Sequence, residues 1–147
     1  MTAPQTVDAV FVRAAARDAA ATHLVLPDGA AVGYGETLAR ARRLAGALVA
    51  AGIGPGDRVA AFMRTSRELY ETYVACGLAG AVAVPVNGLN AARENRGLLA
   101  DCTPAALLVE AAMRDRVPAD SLPASLKLRL VTQGTASGWD GYDAALA

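Results

Sequence analysis

The chain has 147 residues, enough for one domain with a sizeable buried core. Its 14 basic and 14 acidic residues give a net charge of +0, and aromatic residues make up only 5% of it. This balance, with the basic residues spread along the chain, argues against binding to nucleic acid or to an anionic membrane. One histidine, His23, and two cysteines, Cys76 and Cys102, are too few for a zinc site. We expect both cysteines to be reduced thiols in a cytoplasmic protein.

The first third of the chain predicts two helices separated by a β-hairpin. Apolar residues recur with a helical period in two segments, and Pro27-Asp28-Gly29 between two short apolar runs is a hairpin signal. Gly52 follows the second helix, at the position where a helix commonly ends. The predicted elements are a helix at about 7–21, strands at 23–26 and 31–34, and a helix at about 36–51.

The second helix carries a cluster of arginines that could be taken for a phosphate site. Arg40, Arg42 and Arg43 lie close together in the sequence. Glu36 precedes Arg40 by four residues, which is the favourable orientation for an ion pair on a helix. We interpret the arginines as part of a solvent-exposed face. His23, at the start of a predicted strand, is interpreted as a half-buried or surface residue rather than a catalytic base.

Residues 54–86 have the pattern of a β-α-β unit. Gly54-Pro55-Gly56-Asp57 predicts a type II turn, because proline favours its second position and glycine accepts the positive φ of its third. Two apolar runs, 58–63 and 81–86, follow with no alternation of polar residues. Strands of this kind are covered on both faces, which is typical of a parallel sheet.

The helix between these strands is predicted from about Ser66 to Ala79. Thr65 and Glu68 fit the capping box that begins a helix, and Gly80 ends it. Apolar or small residues surround its second half, so we expect burial on all sides. Because 54% of the chain is hydrophobic, we also expect an apolar face that meets further sequence, another subunit or a separate partner.

The last third predicts two more strands of the same sheet. Asn90 fits the N-cap of a helix at about 91–101, and strands are predicted at 105–109 and 128–132 with a loop and a short helix between them. A further helix begins after Trp139. The predicted fold is therefore α/β, with three layers, a mostly parallel sheet of about four strands, right-handed crossovers and the N-terminal hairpin at one edge.

Eight positions in the central block form two linked motifs. The motifs are G-x-x-x-G-D-x-V and G-A-x-x-x-P-x-N, and the positions are Gly52, Gly56, Asp57, Val59, Gly80, Ala81, Pro85 and Asn87. They resemble the N-terminal part of the adenylate-forming enzymes, which include acyl-CoA synthetases, adenylation domains of peptide synthetases and luciferases. The family usually has asparagine where this chain has Thr65. We interpret the matched positions as backbone and packing determinants.

The resemblance implies an enzyme that uses ATP and magnesium to convert a carboxylic acid into an acyl-adenylate. The acyl group then passes to CoA or to the thiol of a carrier protein. In the family, a phosphate loop of serine, threonine and glycine ends in Pro-Lys-Gly, and the residues for nucleotide and metal follow it. The run 134–138 of this chain lacks that ending and is interpreted as a solvent loop. We therefore assign no catalytic, cofactor-binding or metal-binding residue.

These observations lead to one prediction and two alternatives for the role of the chain. Residues 1–147 are predicted to be a single N-terminal subdomain that lacks the phosphate loop and the C-terminal domain. Such a chain is a fragment or split half of a CoA ligase for a fatty or aryl acid, inactive on its own, with the remainder of the ligase or a second copy as its partner. The alternatives are a non-catalytic protein- or lipid-binding module on the same scaffold, and a small independent α/β enzyme, for which no nucleophile–base or carboxylate pair is visible.

Membrane and export signals are weak. Residues 72–92 carry no charge, but glycine, proline and asparagine interrupt them, and the dense apolar part has the length of a buried core element. Residues 1–6 have neither a basic region nor an apolar core of the signal-peptide type. We expect no membrane span and a cytoplasmic location.

Overall fold

The computed structural model describes residues 6–118, 120 and 122–147, so most of the N-terminal stretch 1–6 considered above lies outside the described residues. In chain order the elements are α1 (Val7–Arg17), β1 (Thr22–Val25), β2 (Ala31–Gly33), α2 (Tyr34–Ala50), β3 (Arg58–Phe62), α3 (Arg67–Ala79), β4 (Val82–Pro85), α4 (Ala92–Cys102), β5 (Ala106–Glu110), a 3-10 helix (Ala111–Arg116), β6 (Leu128–Thr132), β7 (Asp140–Gly141) and α5 (Tyr142–Ala145). Within this part of the chain, no helix is long and apolar enough to cross a membrane.

A five-stranded parallel sheet forms the centre of the molecule, in the order β4-β3-β5-β6-β7. Successive residues of its strands pack on opposite faces. Val59 and Ala61 pack with α2 and α3, whereas Ala60 and Phe62 pack with α4 and the 3-10 helix. This arrangement confirms the three-layer α/β prediction, and it explains why the strand sequences show no polar alternation.

The chain reverses its direction across the sheet after β4. It moves outward from β3 to β4 through α3, and then back past β3 to β5 through α4. Crossovers of one hand place α3 and α4 on opposite faces of the sheet, as observed. A reversal of this kind leaves a crevice outside the carboxyl ends of β3 and β5, which is where ligands bind in open α/β sheets.

The N-terminal hairpin forms its own two-stranded antiparallel sheet, so the prediction that it lies at an edge of the main sheet is wrong. The hairpin packs against helices α1 and α3 through aromatic rings instead. The centre of the His23 ring lies 4.7 Å from that of Phe11 on α1 and 5.3 Å from that of Tyr70 on α3. Helix α1 also ends earlier than predicted. Asp18 becomes extended and its carboxylate accepts the N–H groups of Ala20 and Ala21, which stops the helix.

Helix α3 and its N-cap both lie one residue later than predicted. Ser66, not Thr65, is extended at the N-cap, and its Oγ accepts the N–H of Leu69 at 3.3 Å. Gly80 ends the helix with φ of +72°, as predicted. Every residue of α3 is at least partly buried, which confirms the expectation of burial all round. Because α1 and α2 supply that burial, the helix gives no sign of a missing neighbour.

Large apolar side chains are exposed on five separate parts of the described chain, namely α1, β1, α2, β4 and the loop after β4. They are Val7, Val10, Val25, Val49, Val82 and Leu89. An apolar face that meets a partner stays a prediction.

The C-terminal third follows the prediction in its strands and departs from it at the helix ends. Ala91 rather than Asn90 is the N-cap of α4, where the Glu94 carboxylate accepts the N–H of Ala91 at 2.8 Å. β6 has the predicted bounds. The fifth strand, β7, was not predicted, because two residues carry no hydrophobic pattern and their pairing with β6 is a long-range contact.

Candidate functional site

The first family motif and the glycine of the second meet at the amino end of the sheet. The N–H of Gly56 donates to the carbonyl oxygen of Gly80 at 3.0 Å. Gly56 has φ of +83°, and the N–H of Asp57 donates to the carbonyl of Gly54 at 3.0 Å, so the predicted type II turn is confirmed. A β-carbon on Gly80 would lie 3.2 Å from Cγ of Pro55. The turn therefore packs directly on the end of α3.

Asp57 and Val59 connect this turn to the sheet. The Asp57 carboxylate accepts the N–H of Gly54 at 3.1 Å, and its backbone carbonyl accepts the N–H of Val82 at 2.7 Å. Val59 is fully buried in β3. Gly52, with φ of +75°, ends α2, and its carbonyl accepts the ammonium of Lys127 at 2.6 Å. These contacts align β3 with β4.

Pro85 and Asn87 lie at the opposite, carboxyl end of the sheet. Pro85 is the last residue of the edge strand β4, a position where the missing N–H of proline is tolerated. Asn87 Oδ1 accepts the N–H of Leu89 at 3.0 Å, which shapes the loop after β4. The matched motif positions are therefore divided between the two ends of the sheet and do not form one site.

Two open clefts lie side by side along the carboxyl ends of the strands, and Arg64 and Thr65 line both of them. The first, of about 500 Å³, is lined by Leu26, Pro27, Asp28, Arg64, Thr65, Ser66, Arg67, Glu68, Glu110 and Gln133. The second, of about 630 Å³, is lined by Arg64, Thr65, Asn87, Gly88, Leu89, Ala112, Met113 and Arg116. Both occupy the region where the reversal of the chain predicts ligand binding.

Arg64 is held between these clefts by a buried carboxylate. Glu110, the last residue of β5, is 2% exposed and accepts the Arg64 backbone N–H at 3.2 Å and Nε at 3.0 Å, together with a close contact from Nη2. The hydrogen bonds from Arg64 hold the pKa of Glu110 below its usual range. The Arg64 side chain is 71% exposed, so it presents positive charge at the edge of the sheet. Such a group can bind a phosphate or carboxylate.

Arg64 and Glu110 were not predicted from the sequence as site residues. The sequence nevertheless contains a signal, because Glu110 directly follows the apolar run 105–109 that is predicted to be a buried strand. A carboxylate in that position needs a cationic partner, and the parallel arrangement places the residues after β3 next to the end of β5.

A second buried carboxylate, Glu71 on α3, accepts hydrogen bonds from three side chains. It is fully buried and accepts Nε of Arg40 at 2.7 Å, Nε of Arg67 at 2.8 Å and the hydroxyl of Tyr142 at 2.7 Å. Glu36 pairs with Arg67 at 2.5 Å. The Glu36–Arg40 pair predicted within α2 is therefore replaced by pairs that cross from α2 to α3.

The arginine cluster on α2 is divided by this arrangement. Arg42 and Arg43 are exposed, as predicted. Arg40 is not part of the solvated face, because it also pairs with Asp143 at 2.7 Å and only 24% of its side chain is exposed. Ion pairs with Glu71 on α3 and Asp143 on α5, which are distant in sequence, hold the Arg40 side chain in this partly buried position.

The histidine and the cysteines occupy structural surroundings. His23 is half-buried, as predicted, and burial lowers its pKa. Both cysteines are free thiols, and burial raises the pKa of Cys76 to about 12. Among the described residues, no group of three or more His, Cys, Asp and Glu side chains is placed to hold a metal ion.

Comparison with known proteins identifies the family. Residues 11–144 match the family described as AMP-binding enzyme, and the chain belongs to that family. Feruloyl-CoA synthase from Amycolatopsis sp is 51% identical over 59 residues, which are 40% of this chain and 12% of that protein. Indoleacetate–CoA ligase from Aromatoleum aromaticum is 36% identical over 115 residues, which are 77% of this chain and 22% of that protein.

The fold is also found among solved structures. A protein assigned as a long-chain-fatty-acid CoA ligase from Rhodopseudomonas palustris CGA009 has a TM-score of 0.89 and 29% identity, covering 97% of this chain and 36% of that chain. The chain thus spans between 12% and 36% of the length of these relatives. It corresponds to a short N-terminal portion of the family. The resemblance predicted from the motifs is confirmed.

Proposed function

We propose that the chain is the N-terminal scaffold of an AMP-forming ligase that joins a carboxylic acid to CoA or to a carrier thiol, and that it is inactive alone. The family match over residues 11–144 is the observation that carries this proposal. The complete enzyme would use ATP and magnesium. Relatives named for feruloyl-CoA, indoleacetate and long-chain fatty acids support a fatty or aryl acid as the substrate.

The position of the single lysine supports inactivity. Lys127 lies at the amino end of the sheet, where its ammonium binds the carbonyl of Gly52 and lies 3.7 Å from the Asp57 carboxylate. The glycine-containing run 134–138 follows β6, at the carboxyl end. The only lysine thus lies at the opposite end of the strands from the loop and the clefts. No phosphate-binding lysine serves them from within this chain.

The residues present do not fit the magnesium that the family uses. The described part of the chain offers no group of carboxylates, histidines or cysteines that could hold a metal ion. No step of the adenylation is therefore assigned to these residues. We propose that Arg64 faces the rest of the ligase, because it lines both clefts at the carboxyl ends of the strands.

The test is an ATP–pyrophosphate exchange assay that depends on added carboxylic acid. The purified chain is assayed with ferulate, indoleacetate or a fatty acid, alone and together with a candidate larger fragment that carries a Pro-Lys-Gly phosphate loop. We expect no exchange from either part alone and acid-dependent exchange from the pair. Exchange by the chain alone contradicts the proposal. Tight binding to the fragment without exchange favours the binding-module alternative.

A further inference from the structure

Residues 140–146 have little regular structure of their own to hold them in place. We define the strap as residues 140–146, which contain β7, α5 and Leu146. Its backbone pairs with β6 at only two positions, Leu130 with Asp140 and Val131 with Gly141. Its helix is four residues long. A two-residue strand and a single helical turn are too short to be stable alone, so side chains must retain the strap.

Two polar contacts join the strap to the helices. The hydroxyl of Tyr142 donates to Glu71 at 2.7 Å, and Tyr142 is 2% exposed. Arg40 donates to Glu71 and also to Asp143, so one guanidinium bridges α3 and the strap. Asp143 is 83% exposed, which leaves Glu71 as the buried member of this network.

Burial makes the network act as a unit. Arg40 and Arg67 both donate to Oε1 of Glu71, whereas Tyr142 donates to Oε2. Loss of the Tyr142 hydroxyl therefore leaves a buried acceptor atom unsatisfied while the charge of Glu71 stays paired, and a buried unsatisfied acceptor is costly. Because Glu71 is fully buried, Oε2 can regain a partner only by reaching water. Loss of the Tyr142 contact therefore favours a state in which the strap has moved away and the carboxylate is hydrated.

We propose that the strap acts as a latch at the carboxyl ends of the strands, which means that it has a closed and an open position. The hydrogen bond from Tyr142 to Glu71 stabilises the closed position. The strap forms one wall of a cleft of about 250 Å³, whose other walls come from Glu68 and residues 131–134. Release of the strap converts this cleft into open surface while the rest of the sheet stays folded. The inference rests on contacts within this chain and is independent of the proposed ligase function.

Hydrogen exchange of the full chain tests the latch. Tyr142→Phe removes the hydroxyl and keeps the ring, and we expect the amides of residues 140–146 to exchange about tenfold faster, since a hydrogen bond to a charged group is lost. Amides of β3 and β5 should keep their rates. The matched control is Arg96→Ala, which removes an exposed ion pair of 3.1 Å with Asp120 and should leave the strap unchanged.

A second variant and a second readout separate a latch from general loss of stability. Asp143→Asn removes only the negative charge of the exposed partner of Arg40 and should accelerate exchange in the strap less than Tyr142→Phe does. Trp139, the only tryptophan, immediately precedes the strap and should become more accessible to acrylamide in Tyr142→Phe. Unchanged strap exchange in Tyr142→Phe, equal acceleration of the whole sheet, or a larger effect of Asp143→Asn would overturn the proposal.

Discussion

The N–H of Gly56 donates a 3.0 Å hydrogen bond to the carbonyl oxygen of Gly80, and this bond joins the turn before β3 to the end of α3. The two glycines belong to different halves of the family motif. Both have positive φ, +83° and +72°, so each half of the motif contains a conformation that glycine adopts at low cost. The pair sets where β3 and β4 begin, and hence their register.

Gly80→Ala should destabilise the protein. Alanine at φ of +72° is strained, and its β-carbon would lie 3.2 Å from Cγ of Pro55. We expect the free energy of unfolding to fall by about 1–2 kcal/mol, measured by urea denaturation. Gly46→Ala is the matched control, because Gly46 is exposed within α2 and a β-carbon there meets no atom within 4 Å. That change should raise the free energy of unfolding by up to about 1 kcal/mol. Equal effects of the two substitutions would contradict the backbone role of Gly80.

The helix cap of α3 gives a second pair of variants. Ser66→Ala removes the oxygen that accepts the N–H of Leu69, and the free energy of unfolding should fall by about 1 kcal/mol. Thr65→Ala should change it by less than about 0.5 kcal/mol, because Thr65 is exposed and is not the cap. Thermal unfolding of the two variants against the parent chain measures the difference. A larger loss for Thr65→Ala would restore the capping box predicted from the sequence.

Stability should fall at alkaline pH because a buried thiol keeps its proton. The pKa of Cys76 rises from 9.0 to about 12 on folding, so above pH 9 the unfolded state ionises first and binds fewer protons than the folded state. The free energy of unfolding therefore declines between pH 9 and about pH 12. Burial, together with the nearby Glu71 charge, raises the pKa of Tyr142 as well, which adds a decline of the same sign above pH 10.

Denaturation midpoints across this pH range, measured for the parent chain and for Cys76→Ala, test the assignment. The variant loses the contribution of the thiol and should show a shallower decline from pH 9. If both proteins decline with the same slope between pH 9 and pH 10, Cys76 does not cause the effect.

The sequence alone was sufficient for the turn before β3 and for the strands at the centre of the sheet. Gly54-Pro55-Gly56-Asp57 forms the predicted turn because backbone sterics decide it, and the strands at the centre of the sheet follow from short apolar runs that must be covered on both faces. The family followed from the same local motifs, since a motif is a pattern along the chain.

Only the tertiary structure decided which polar groups pair across the molecule. Arg64 and Glu110 meet because β3 and β5 are neighbours, and Glu71 gathers donors from α2, α3 and α5. The unpredicted strand β7 and the separate hairpin sheet have the same origin. Partners of this kind are set by how the layers pack, and a charged side chain carries no local signal of the residue that it will meet. Local sterics and hydrophobic pattern thus determined the scaffold, and the packing of distant segments determined its clefts and buried ion pairs.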